Sequence, residues 1–428
     1  MRRRDSGFSG RPSESGDLLG DNRKRRRRRG RRPSSVTIDV ERARAETPGC
    51  QHVAHFNNAG SALPPQPVLD AVIGHLELEA QLGGYEAHEA NGEAIERFYG
   101  ATAELIGAKP EEVAFTSSAT RAWDMAFYSF HFERGDRILT SVADYISNYL
   151  AFIQIAQRAG AEVVTVPNDE CGQVSVDRLR ELVDERVKLI AITHVPTNGG
   201  LVNPVAAIGP IAREAGIPYL VDACQSTGQI PLDVDELGCD ALSATGRKFL
   251  RGPRGTGFLY VRSALLERLE PPLVDMRAAD WVAPDRYELR PDGRRFEEWE
   301  QDYAGKAGLA RAIDYALAWG IDKIWERADA LGSRLRAQLA ELPGVTIRDV
   351  GAERCAIVTF DVAGVASEQI KEALAREAIN VSVSATTSAV IESIERALPD
   401  LVRASPHYYN TEEEVDRLVE SVRIAARC

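Results

Sequence analysis

The sequence predicts an α/β protein: a large domain built on a doubly wound, mostly parallel sheet of seven strands, joined to a smaller α+β domain. Three observations carry this reading. Between Glu112 and Arg262 short β-rich runs alternate with helical stretches. Several runs are apolar for four to six residues without a break, as strands covered on both faces are. After about Pro271 the alternation gives way to longer helical segments.

The predicted strands are Val113–Thr116, Arg137–Ser141, Ala161–Val166, Lys188–Val195, Pro218–Asp222, Asp240–Ala244 and Thr256–Arg262. Helices between them are expected at Tyr149–Ala159, Val176–Val183 and Ala206–Ala215, and crossover helices make consecutive strands parallel. Further helices are expected at Gly305–Trp319, Asp322–Leu342, Glu368–Arg376 and Glu412–Ala426, with a strand at Ala356–Asp361. The large domain then covers residues 66–310. The small domain combines residues 36–65 with 311–428, and residues 1–35 form a disordered tail. In a doubly wound sheet ligands bind beyond the carboxyl ends of the strands. The chemistry is therefore sought in the loops that follow them.

Charge is unevenly placed. Residues 1–35 carry thirteen Arg or Lys against four Asp or Glu, so the rest of the chain stands near −21 within a formal total of −12. The run Arg23–Arg32 could engage a polyanion. No aromatic residue is interleaved there to stack on bases, and an acidic body repels nucleic acid, so a solvated tail is the expectation. No apolar run reaches the roughly 20 residues of a membrane span, and no apolar segment follows the basic start as in a secretory signal. Six cysteines are scattered without metal-like spacing. Reduced thiols in the cytoplasm are the simplest expectation, with no metal.

Only seven lysines occur, so each can be weighed. Lys24 lies in the tail, Lys109 in a turn, and Lys188 opens a strand. Lys306, Lys323 and Lys371 fall on helices and are expected on polar faces. Lys248 differs. It follows the strand ending at Ala244, in Thr245-Gly246-Arg247-Lys248, with a glycine-rich turn behind it. Arg247 beside it lowers its pKa by like-charge repulsion, and a lysine that loses its proton near neutral pH can form a Schiff base. One strand earlier, Tyr219-Leu220-Val221 ends in Asp222. A buried carboxylate needs a cationic partner, and a protonated ring nitrogen would serve as one, as would the N-terminus of a helix. Phe115-Thr116-Ser117-Ser118-Ala119-Thr120 runs a strand into a hydroxyl-rich turn and a helix start, an arrangement suited to phosphate.

With these residues in place, the chain resembles the class-V aminotransferase group of fold-type I pyridoxal-phosphate (PLP) enzymes, in its cysteine desulfurase and selenocysteine lyase branch. The resemblance covers roughly residues 53–425. It implies PLP as cofactor, Lys248 as the lysine that carries it, and an amino acid as substrate. It implies that Ser118-Ala119-Thr120 holds the phosphate, Tyr145 stacks on the ring, and Asp222 and Gln225 meet the ring nitrogen and phenolic oxygen. The segment His194–Gly200 matches the loop that contacts the phenolic side; the register falls on Thr197, with Asn198 beside it. Thr245 and Arg247 match the residues flanking the family's lysine, with Arg247 in place of a histidine. Arg403 matches the arginine that grips the substrate carboxylate, for which its planar fork is suited. A homodimer is also implied.

Two departures matter. Desulfurases carry a nucleophilic cysteine in a loop before that arginine, whereas this loop reads Val381–Ser388 and holds none. The threonine that reaches a neighbouring subunit's phosphate is replaced by Glu300. The first expectation is therefore β-elimination across a C–S bond of a cysteine-derived substrate, without a persulfide. Transamination or epimerisation is the alternative, and an inactive fold binding nucleic acid through its tail is the alternative of another class. Trp123, Trp281, Trp299, Tyr303 and Tyr408 are candidates to line a substrate pocket.

Overall fold

The computed structural model describes residues 37–427; the basic tail lies outside them. All seven strands of the large sheet are present: β1 (Val113–Thr116), β2 (Arg137–Ser141), β3 (Glu162–Val166), β4 (Val187–Thr193), β5 (Tyr219–Asp222), β6 (Ala241–Thr245) and β7 (Gly257–Val261). Their spatial order is β1-β7-β6-β5-β4-β2-β3. Only β7 runs antiparallel to its neighbours, so the sheet is mostly parallel.

Side chains alternate across a strand with period two, and here both faces are covered. Ile190, Ile192, Tyr219, Val221 and Leu242 point to one face and pack with Ile208 and Ile211. Leu189, Ala191, Leu220 and Leu259 point to the other and pack with Trp123, Phe127 and Phe152. The helices that supply these covers are α1 (Ala119–Phe127), α2 (Ile146–Ala159) and α3 (Val205–Ala215). Trp123 and Tyr408 are thus core residues, while Trp281 and Trp299 are surface-exposed. None of the five aromatic candidates lines the cleft described below.

The C-terminal part supplies helices α4 (Tyr303–Trp319), α5 (Ile321–Ala340), α6 (Ser367–Arg376) and α7 (Glu412–Ala425). It also holds an antiparallel sheet in the order β8-β9-β11-β10, with β8 at Val345–Ile347, β9 at Val358–Val362, β10 at Ser382–Ser384 and β11 at Leu401–Ala404. Residues 54–55 pair in parallel with 379–380, which ties the start of the folded chain to this part.

One lysine departs from expectation. Lys306 on α4 is 1% exposed rather than on a polar face. Its Nζ donates to Tyr99 Oη at 2.6 Å and to Gln301 Oε1 at 3.1 Å, and lies 3.9 Å from Glu297 Oε2. Burial lowers its pKa to about 8 against the pull of Glu297. Glu297 in turn accepts from Phe115 N of β1, so the cluster braces the strand that leads to Ser118. Lys306→Met would leave a buried carboxylate short of one cation, at a cost of about 3–5 kcal/mol. Urea unfolding would read the loss, and a change below 1 kcal/mol would show that Arg277, 3.0 Å from Glu297 Oε2, neutralises it alone.

Candidate active site

The parallel register sets three strand ends side by side. Thr193 pairs with Asp222 across β4 and β5, and Asp222 with Ser243 across β5 and β6. Beyond these ends lies a cleft of about 580 Å³ lined by Ser118, Ala119, Thr120, Tyr145, Asn148, Thr193, Val195, Thr197, Asp222, Cys224, Gln225, Thr245, Arg247 and Lys248. Residues separated by up to 130 positions in sequence meet there. Asn198 is buried next to Thr197 but does not line the cleft. Arg403 on β11 does not line it either; it reaches the rim through Thr197, donating to the threonine's Oγ1 at 2.8 Å and its carbonyl at 3.0 Å.

Lys248 is buried, and its amine makes no hydrogen bond among the described residues. Burial is the main force lowering its pKa; Arg247 and Arg403 add to it, while Cys224 and Asp222 oppose it. Desolvation therefore outranks the neighbouring arginine that the sequence suggested. The lysine's turn is held by Arg251, a non-glycine residue at φ +62° whose N–H donates to Lys248 O at 2.9 Å. The Arg251 guanidinium donates to Tyr408 Oη at 2.6 Å, to Leu63 O at 2.8 Å and to Thr47, and lies 4.4 Å from the centre of the Tyr409 ring. Nothing in the local sequence marks this residue, because its partners lie far along the chain.

Asp222 has one donor on each oxygen, which leaves acceptor capacity toward the cleft. Its Oδ1 accepts from Cys224 N at 2.8 Å and its Oδ2 from Asn148 Nδ2 at 2.9 Å. Gln225 Nε2 donates to Ala59 O at 3.1 Å and Thr197 Oγ1 at 3.3 Å, while its Oε1 is buried without a partner. Ser118 caps α1 by accepting from Arg121 N at 3.1 Å, so Ala119 and Thr120 form the helix's first turn at the cleft. Gly257 at the start of β7 passes against this turn. A Cβ there would fall 2.6 Å from Ala244 O and 2.9 Å from Ser118 C, so only glycine fits.

The cleft is short of anions. Neither Arg247 nor Arg403 forms a salt bridge among the described residues. Arg247 donates to Gly60 O, and Arg403 Nε has no partner. Burial and the proximity of Arg247 lower the Arg403 pKa to about 10. A buried guanidinium without a carboxylate, as in Arg403, and a half-buried one beside it, as in Arg247, call for anionic ligands.

Residues 54–418 match the class-V aminotransferase family. The chain belongs to that family. It is a PLP-dependent enzyme, as the family's members are. A probable cysteine desulfurase of Methanothermobacter thermautotrophicus is 29% identical over 394 residues, 90% of this chain and 98% of that protein. The apo structure of a cysteine desulfurase from Thermococcus onnurineus superposes with a TM-score of 0.85 at 27% identity, covering 92% of this chain and 99% of that one. A cystine C–S lyase solved with its reaction product cysteine persulfide superposes with a TM-score of 0.79 at 25% identity, covering 88% and 99%.

The residues present fit PLP. A helix start with free N–H groups suits its phosphate. An amine stripped of solvent suits its aldehyde, and the orphaned Gln225 Oε1 and the carboxylate of Asp222 offer polar partners to the ring. Asn148 and Thr193 are cleft residues that sequence reading missed, and Cys224, expected beside Asp222 as a packing residue, lines the cleft as well. For Asn148 the available signal was its place in the first turn of α2, four residues after Asp144, which precedes that helix.

Proposed function

We propose that this enzyme is a C–S lyase that eliminates the sulfur substituent of a cysteine-derived amino acid, with Lys248 as base. The observation that carries the reading is the cleft's inventory: a buried lysine whose pKa burial lowers, one carboxylate, the Arg247 guanidinium with Arg403 at the rim, Cys224 whose thiol burial pushes well up, and no cysteine in residues 356–427. Bound PLP supplies an electron sink that acidifies the substrate's Cα–H bond. Ala119, Thr120 and Thr245 would hold the phosphate end, with Arg247 balancing its charge. Tyr145 would cover one ring face, Asp222 would keep the ring nitrogen protonated, and Gln225 with Thr197 would border the phenolic side, with Asn198 buried next to Thr197. Arg403 grips the substrate carboxylate by its fork.

Lys248 takes the α-proton at its amine. The electron pair of the Cα–H bond becomes the Cα–Cβ π bond, and the Cβ–S pair leaves with sulfur, which takes up a proton as a thiol. The resulting enamine reacts with water to give a 2-oxo acid and ammonium. No protein thiol is needed. Incubation with S-substituted cysteines tests this: thiol and 2-oxo acid should appear in equal amounts. Alanine together with a protein-bound persulfide would mean a desulfurase, and amino transfer to an added oxo acid would mean a transaminase.

A homodimer belongs to the same reading. It is supported by apolar side chains left exposed around the hairpin 279–289, where Trp281 is 81% exposed and Met276 and Tyr287 are also uncovered. A cytoplasmic location is supported by the five described cysteines, all free. No described helix is long and apolar enough to cross a membrane.

A further inference from the structure

Behind the cleft lies a second carboxylate that the reaction does not touch. Asp144 sits between β2 and α2, buried, and four donors converge on it. Thr140 Oγ1 donates to its Oδ2 at 2.5 Å. Its Oδ1 accepts from Thr193 Oγ1 at 2.7 Å, Tyr145 N at 2.7 Å and Asn148 Nδ2 at 3.2 Å. The same Asn148 amide donates to Asp222 Oδ2. Two of the four donors thus lead to residues that line the cleft through their side chains, Tyr145 and Asn148, and a third, Thr193, lines it as well.

The geometry points to Asp144 as the positioning residue that locks the ring-face partner and the ring-nitrogen partner of the cofactor into one rigid unit. Its Oδ1 fixes the backbone of Tyr145, and so where that ring lies. Through Asn148 it fixes the rotamer of Asp222. A buried carboxylate costs several kcal/mol unless its lone pairs are filled, and four donors fill them. Burial raises the Asp144 pKa to about 6, with Asp222 adding to the rise and the threonine hydroxyls opposing it. A plain structural anchor could be met by an apolar residue at lower cost; a saturated acceptor shared between two cleft residues fits orientation instead. The inference rests on the reading of the cleft as a PLP site.

The test uses the full chain, with Asp144→Asn and the milder Asn148→Ala, which leaves three of the Asp144 donors in place. PLP affinity by fluorescence titration, circular dichroism of the bound cofactor, and melting temperature of the cofactor-free protein are measured together. Both variants should bind PLP roughly ten- to a hundredfold more weakly, the range for loss of an outer orienting partner. Both should show a reduced cofactor dichroism band, and the double variant should be little worse than either alone. If Asp144→Asn does not fold, Thr140→Val decides, since Thr140 meets Asp144 Oδ2 and does not line the cleft. Unchanged affinity and dichroism, with only a lower melting temperature, would overturn the positioning role. Wild-type protein that takes up no PLP would instead sink the functional reading on which it rests.

Discussion

Asp222→Asn should give a protein that folds and still takes up PLP but turns over about 10²–10³-fold more slowly, the scale on which one lost electrostatic partner slows a preorganised site. The carboxylate stands at the end of β5 with one donor on each oxygen, Cys224 N and Asn148 Nδ2. An asparagine keeps the volume and can accept from one donor. It cannot hold a ring nitrogen protonated, and its own amide group would face a donor. The loss should therefore fall on kcat, with the substrate KM little changed. Turnover within threefold of wild type would reduce Asp222 to a structural partner of Cys224 N.

Arg403→Ala should act on the other parameter. It removes from the rim the fork proposed for the α-carboxylate and releases Thr197, which Arg403 holds by two hydrogen bonds. Truncating one member of a desolvated charge pair costs about 2–4 kcal/mol. In kcat/KM that is roughly a thirty- to thousandfold fall, carried mainly by KM. Arg403→Lys should recover part of it, since a lysine keeps the charge but not the planar fork. An unchanged KM in Arg403→Ala would move the carboxylate to Arg247, the guanidinium that does line the cleft.

Much of this fold was legible because burial on both faces leaves a plain mark. β1 and β2 match their predicted runs residue for residue, and the other five strands differ by one or two positions at their ends. The carboxyl-end rule then placed Asp222 and Lys248 in one cleft without any distance being known. What the sequence hid depends on contacts between distant residues. Lys306 looks solvated in Tyr-Ala-Gly-Lys-Ala-Gly, because the Glu297 and Tyr99 that bury it lie outside its helix. Asn148 meets Asp222 across 74 positions and Arg251 meets Tyr408 across 157, separations at which local pattern carries no signal. The pKa of Lys248 shows the same limit. Sequence supplies the adjacent arginine, but only the packed fold supplies the burial that lowers the pKa most.

The account stands on Lys248 as the residue that carries the cofactor, and one measurement addresses that directly. The protein loaded with PLP is reduced with borohydride, digested and mapped by mass spectrometry. The pyridoxyl group should be found on the peptide containing Lys248, in near-stoichiometric yield, and should be absent from Lys248→Ala. A label on Lys306, the other lysine buried among the described residues, or protein that emerges with no pyridoxyl group at all, would contradict the assignment.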